Sequence, residues 1–272
     1  MTRILHVSDL HFGAPAVLEQ IDAIEHAVRA GHYDVVAASG DFSQRAKAGE
    51  FQRAAVFVRE ARANGPFISV PGNHDVAWWY APLGVGQSER VYANYRRYID
   101  EDLEPTLDVP GAYFVGINTA HGVTRRTLTW NPRDISIIGD VTPEQLERTR
   151  RRFADAPAGD AKVVVMHHNP VAGQISQRYG LKHTPRLLQS FSAMGVQLVL
   201  CGHDHQEAVN YIEHTTGGVI VSTAGTVSNR SRGGRPSSFN VIDVSPNEIV
   251  VTTHIWNGEG EFVPGAQQCF AR

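Results

Sequence analysis

Two cysteines in 272 residues, Cys201 and Cys269, make neither a disulfide framework nor a spaced thiolate motif. No apolar run approaches the roughly 20 residues that a membrane-crossing helix needs. The opening MTRILHVSDLHFG carries an apolar stretch too short and too interrupted for a signal-peptide core. Charge of neither sign dominates: 25 basic and 28 acidic residues leave a net −3, with no whole-surface attraction for nucleic acid or an anionic membrane. Internal repeats, low-complexity blocks and long polar linkers are also missing. What remains is an ordinary globular composition, 42% hydrophobic, ample for a core. One domain over residues 1–272 in the cytoplasm is expected, with no membrane partner and no stable nucleic-acid partner. The oligomeric state has no signature.

Against these absences, the first third shows a repeating pattern. Ile4 to Val7 is apolar and ends in Ser8-Asp9. Val17, Leu18, Ile21, Ile24, Ala27 and Val28 then recur at helical spacing up to Gly31. Val35 to Ala38 ends in Gly40-Asp41, a second helical pattern runs from Phe51 to Ala61, and Phe67 to Val70 ends in Pro71-Gly72-Asn73-His74-Asp75. Strands separated by helices in this way predict βαβ units and a parallel sheet. Further on, a helix is expected over 89–99 and a strand over 113–117. Thr142-Pro143-Glu144-Gln145 is a capping box with proline at the first helical position, opening a helix to about Phe153. Strands at 163–166 and 197–201 end in His167-His168 and Gly202-His203-Asp204-His205. Four apolar stretches between 206 and 256 (209–212, 219–222, 239–244 and 249–254) have no helices between them and suggest antiparallel strands.

Asp9, Asp41, Asn73, His167 and His203 therefore all lie just past the C-terminal ends of expected strands, the edge where open α/β sheets bind ligands. Carboxylate, imidazole and amide oxygen form a mixed donor set suited to Mn, Fe or Zn. There are too many donors for one tetrahedral ion and about enough for two. Two ions roughly 3.5–4 Å apart can hold a bridging hydroxide and clamp phosphoryl oxygens in an in-line displacement. A short Asp at a strand end suits the bridging position, and Asp41 is the candidate.

Asp9-Leu10-His11, Gly40-Asp41, Gly72-Asn73-His74-Asp75, His167-His168 and Gly202-His203-Asp204-His205 occur in this order. In that order they resemble the motifs of the calcineurin-like metallophosphoesterases, over residues 1–225. The Asn73-His74-Asp75 block, the double histidine and the compact length resemble the bacterial cyclic-nucleotide phosphodiesterase branch. The resemblance implies a four-layer αββα sandwich of two mixed sheets, with a dinuclear metal site at the strand ends. It implies that Asp9, His11 and His205 hold one ion, with Asp41 bridging. Asn73, His203 and either His167 or His168 hold the other. His167 is favoured because it follows its strand directly, which leaves His168 behind it or facing the substrate. His74 would protonate the departing oxygen, with Asp75 holding it in place; imidazole titrates near neutrality and suits that task. The activity implied is metal-dependent phosphodiester hydrolysis of a small substrate, such as a cyclic nucleotide or a glycerophosphodiester. Monoesters, pyrophosphates and DNA ends are the alternatives within the superfamily. A nuclease would want a basic groove, which the net charge does not suggest. A scaffold without catalysis would be expected to have lost a donor or His74, and all are present.

Other polar residues are weighed against ordinary structural roles. His6, His26, His32, His183, His214 and His254 are expected to be surface or hydrogen-bonded core residues. His121, after Asn118-Thr119, is a candidate for lining the site. Trp78, beside Trp79 and Tyr80, would either give a flat group a stacking wall or cover the core. Two arginine-rich segments, 124–133 and 229–235, would serve as solvated loops or supply a phosphate ligand such as Arg230.

Overall fold

The fold follows from alternation. In a computed structural model describing residues 1–127, 134 and 136–272, successive strand residues point to opposite faces and both faces are apolar. The first strands are β1 (Thr2–Val7), β2 (Val35–Ala38) and β3 (Phe67–Ser69), joined by helices α1 (Leu18–Ala30) and α2 (Ala48–Asn64). They run parallel. Leu5, Val7, Val36 and Ala38 face these helices and pack with Ile24, Phe51 and Phe57. Ile4, Val35 and Ala37 face the other way, into a core shared with a second sheet.

That second sheet contains β5 (Ala112–Ile117), β6 (Ala161–Met166), β7 (Val196–Cys201) and β9 (Val219–Thr223), all parallel. Helices α4 (Pro143–Ala154) and α5 (Thr184–Ala193) make the crossovers. Phe114, Val163, Val165 and Leu198 meet Ile4 and Ile68 between the sheets. Val164, Met166 and Val199 pack outward with Phe153, Leu187 and Phe191 of α4 and α5. The result is helix, sheet, sheet, helix, the expected four layers.

The edges differ from expectation in instructive ways. The C-terminal strands, expected to be antiparallel, divide between the two sheets, and β9 also runs parallel to β7. β8 (Ala208–Ile212) pairs antiparallel with β9 in the second sheet. By contrast β10 (Ser238–Val244), β11 (Glu248–Trp256) and β12 (Phe262–Ala271) extend the first, in the order β12-β11-β10-β1-β2-β3. β4 (Thr106–Val109) closes the other edge of the second sheet. The helix expected over 89–99 is shorter: a 3-10 turn at Ser88–Arg90, then α3 (Ala93–Tyr98). Tyr92 leaves the helical conformation, with φ −112° and ψ 13°, and its hydroxyl donates to Ala120 O at 2.7 Å. The capping box at Thr142 forms as expected, Gln145 N donating to Thr142 Oγ1 at 3.2 Å and Thr142 N to Gln145 Oε1 at 2.9 Å. Arg133 lies outside the described residues. No helix among the described residues is long and apolar enough to cross a membrane.

One histidine is embedded in this frame. His6 on β1 is fully buried, with Nε2 2.9 Å from Ser39 Oγ. Burial drives its pKa down to about 3, so the folded protein holds the ring neutral. The unfolded chain binds a proton there below about pH 6.5. Stability from this site is therefore present above that pH and drains away as pH falls toward about 3. We expect urea midpoints at pH 7 and pH 5 to differ less in His6→Gln than in the unsubstituted protein. Equal differences would remove His6 from the acid response.

Candidate metal centre

All the site segments leave the sheets at one end. Beyond β1 and β2 the two chains stay bonded, Asp9 N donating to Gly40 O (3.0 Å) and His11 N to Asp41 O (2.9 Å). Beyond β6 and β7, Gly202 N donates to His167 O at 2.9 Å. A fourth bond joins the sheets: His203 N donates to Asp9 Oδ2 at 2.9 Å. At these strand exits Asp9, His11, Asp41, His203 and His205 all adopt left-handed backbone, with φ of 56°, 47°, 56°, 72° and 55°. Each such residue costs about 1–3 kcal/mol, and the conformation persists because the surroundings over-determine it. Gly72 is required here by close approach: a Cβ would be driven into the Asp41 carboxylate.

The side chains gather into two knots that share Asp41. In the first, His11 Nε2 lies 3.0 Å from His205 Nε2, 3.5 Å from Asp9 Oδ1 and 3.7 Å from Asp41 Oδ2. His205 Nε2 lies 3.0 Å from Asp9 Oδ1. In the second, His167 Nε2 lies 3.4 Å from Asp41 Oδ2 and 3.1 Å from Asn73 Oδ1. His203 Nδ1 lies 3.0 Å from Asn73 Oδ1 and 3.3 Å from His167 Nε2. Asp9, His11, Asp41 and His167 are almost entirely buried.

Two buried carboxylates set the electrostatics of the site. Among the described residues, Asp9 Oδ1 and Asp41 Oδ2 are buried without a well-formed hydrogen bond and face only imidazole nitrogens. Burial pushes the Asp9 carboxyl up, but the His205, His11 and His167 rings outweigh it and hold it well below the usual carboxylate range. Asp41 is held down in the same way, against its burial, by His167, His74 and His11. Burial lowers His167, yet the Asp41 charge beside it prevails and lifts its pKa to about 9. Two buried carboxylates therefore demand positive charge between the knots. Burial also keeps His203 well below the ordinary imidazole value, a neutral donor. The outer nitrogens of two rings are already engaged: His167 Nδ1 with Ser39 O (2.8 Å) and His205 Nδ1 with Arg230 O (3.2 Å). Such bonds turn Nε2 inward as ligands. The donor set fits two transition-metal ions, one per knot.

The remaining candidates are distributed around this centre. His168 Nδ1 meets Thr119 Oγ1 at 2.7 Å, and its ring lies over His203 with centroids 4.5 Å apart. His167, and not His168, therefore faces Asp41 directly. His74 sits at the mouth, its ring edge-on to His11 at 4.9 Å. Its backbone N–H donates to Asp41 Oδ1 at 2.8 Å.

The expectation that Asp75 holds the His74 ring needs correction. The Asp75 carboxylate accepts from the backbone N–H groups of Phe42 (3.2 Å), Ser43 (2.8 Å) and Gly72 (3.0 Å) and from Ser43 Oγ (3.0 Å). Burial and the Asp41 charge push its pKa up to about 7. It braces the loops that carry Asp41 and His74, because a residue one step along a 3-10 turn points away from its neighbour's ring. The ring is held by Gln44, whose carbonyl oxygen accepts from Nδ1 at 2.8 Å. Gln44 was missed because a backbone acceptor leaves no mark on residue identity.

His121 and Trp78 line a side cleft of about 430 Å³ with Tyr92, Arg125 and Arg126. His121 Nε2 meets Gln145 Oε1 at 3.3 Å, and Trp78 packs against the cluster of Val76, Ala81, Val91 and Ala120. Arg230 reaches the centre: Nη1 lies 3.0 Å from His74 Nε2.

Known proteins are similar to this chain in sequence or in fold. Over 220 residues the chain is 28% identical to the 3',5'-cyclic adenosine monophosphate phosphodiesterase CpdA of Escherichia coli, covering 75% of this chain and 70% of that protein. Its fold is similar to that of the purple acid phosphatase PPD1 from yellow lupin, Lupinus luteus (TM-score 0.71, 14% identity). That alignment takes in 100% of this chain, which spans 54% of the lupin enzyme. It is also similar to GAP50, the anchor in the inner membrane complex of Plasmodium (TM-score 0.61, 14% identity, 99% of this chain and 88% of that one). The family model for calcineurin-like phosphoesterases matches residues 2–207, and the chain belongs to that family.

Proposed function

We propose that the protein hydrolyses small phosphodiesters, with cyclic nucleotides and glycerophosphodiesters as the first substrate classes to test. The observation that carries this reading is the pair of donor knots sharing the unpartnered Asp41 Oδ2, with the His74 ring at their mouth. We assign Asp9, His11 and His205 to one ion, Asn73, His167 and His203 to the other, and Asp41 to both. The ions, when bound, would supply Lewis-acid activation of water and of the ester's phosphoryl oxygens. The chain's own residues do the rest. Gln44 O fixes His74 through Nδ1, which turns Nε2 toward the mouth of the site, where Arg230 Nη1 rests on it. Nδ1 keeps its proton on Gln44 O, so Nε2 would take up a proton from solvent and pass it to the departing alkoxide. Asp75 keeps the Asp41 and His74 loops in register through its three backbone contacts. The diester preference is supported by the similarity to an enzyme named for cyclic AMP hydrolysis. A fold similar to that of an anchor protein gives the competing reading, a binding scaffold, in which the donors would hold metal without turnover.

The test is a chromogenic phosphodiester and its matching monoester, side by side, with Mn²⁺ and with chelator. We expect faster diester cleavage, abolished by chelator and restored by Mn²⁺. Monoester preference would redirect the assignment to a phosphatase. Silence on both esters with metal bound would favour the scaffold.

A further inference from the structure

The segment that follows β9 is tied down on both sides of Arg230. Thr226 Oγ1 donates to Asp9 O at 2.7 Å, and Asn229 N donates to Pro15 O at 3.0 Å. Beyond it, Arg232 pairs with Asp204 (4.0 Å) and Arg235 with Glu207 (2.5 Å). Between these ties the Arg230 carbonyl orients His205, while its half-buried side chain crosses the mouth of the site. There Nη1 alone is engaged, 3.0 Å from His74 Nε2 and 3.2 Å from Gln44 Oε1. Its neighbours Arg232 and Arg235 each have a carboxylate; among the described residues Arg230 has none.

A guanidinium beside a phosphoester site that rests on a ring nitrogen and an amide oxygen, with no carboxylate among the described residues, lacks a charge-assisted partner. A phosphoryl oxygen offers a charge-assisted bond of about twice the strength, and the planar fork suits a bidentate grip. Resting on the phosphoesterase reading above, we propose that Arg230 is a phosphoryl-binding residue in a parked position. It leaves His74 Nε2 and Gln44 Oε1 for a non-bridging oxygen of the seated ester. Two functions follow for one movement: the substrate is gripped, and Nε2 of His74 is freed to face the leaving oxygen. Gln44 is the positioning residue, holding the His74 ring with its carbonyl and the arginine with its amide.

Inorganic phosphate is the probe, titrated calorimetrically into the Mn²⁺-loaded protein. Arg230→Ala should weaken phosphate roughly 10- to 100-fold with metal content unchanged, the loss expected for a hydrogen bond to a charged group. Arg230→Lys should fall between, since it keeps the charge and loses the fork. Added guanidinium should return part of the diester turnover of Arg230→Ala, which a merely structural role would not permit. Phosphate binding within about two-fold of the unsubstituted protein would overturn the proposal, and so would loss of metal from Arg230→Ala, because the arginine would then be acting through His205. Arginine-dependent phosphate binding without hydrolysis of any ester would instead sink the enzymatic reading and leave this one standing.

Discussion

His74→Ala is expected to lower kcat on a phosphodiester by about 10²- to 10⁴-fold, the usual contribution of a positioned general acid. Metal content should stay at the level of the unsubstituted protein. The reason is geometric: the ring stands at the mouth, edge-on to His11, and its nitrogens engage Gln44 O and Arg230, not the carboxylates. Its link to Asp41 runs through the backbone N–H, which alanine keeps. The loss should shrink for an ester whose leaving group is a good anion, because such a group needs little proton donation. Turnover measured on p-nitrophenyl and alkyl diesters, with metal analysis on the same samples, checks this. An unchanged rate on the alkyl ester would remove His74 from the mechanism.

Asp41→Ala should do more, emptying the site as well as silencing it. Asp41 Oδ2 lies 3.7 Å from His11 Nε2 and 3.4 Å from His167 Nε2, within both knots at once. Its other oxygen accepts the His74 N–H. Removing it takes one buried negative charge out of a pocket that has two, and leaves His167 without the charge that lifts its pKa to about 9. We expect at most one ion per chain by elemental analysis and no measurable diester turnover. Two retained ions would show that Asp41 is not shared. Asp41→Asn separates charge from shape, and partial metal retention there would assign the remainder to oxygen geometry.

Much of this was legible in the sequence because the constraints are local. A donor that immediately follows a strand is placed by the strand, so Asp9, Asp41, Asn73, His167 and His203 converge as soon as the sheets form. The βαβ half was equally legible, since helix and strand periods differ. The C-terminal strands were not: β8 and β9 join one sheet and β10 to β12 the other, and only pairing across the molecule decides that. β4 and β12 escaped notice because exposed edge strands need not alternate. The Asp75 role was misread for a related reason: adjacency in sequence suggested contact with His74, while the 3-10 turn directs the carboxylate to the backbone of Phe42, Ser43 and Gly72. Trp78 and His121 lie in a cleft whose walls are drawn from four separate segments, a combination no short motif encodes.

The donors do not come from one sheet. Asp9, Asp41 and Asn73 are carried by the first, His167, His203 and His205 by the second, and the apolar core and a few hydrogen bonds, His203–Asp9, His167–Ser39 and Thr226–Asp9 among them, join the two at this end. An ion seated among them would therefore be a rivet as well as a reagent. Sliding or parting of the two sheets breaks its coordination, so occupancy would be written directly into the mechanical cohesion of the sandwich. At a free metal concentration 100 times the dissociation constant, that linkage contributes about 2.7 kcal/mol. Metal supply would then set both how fast the protein works and how long it survives.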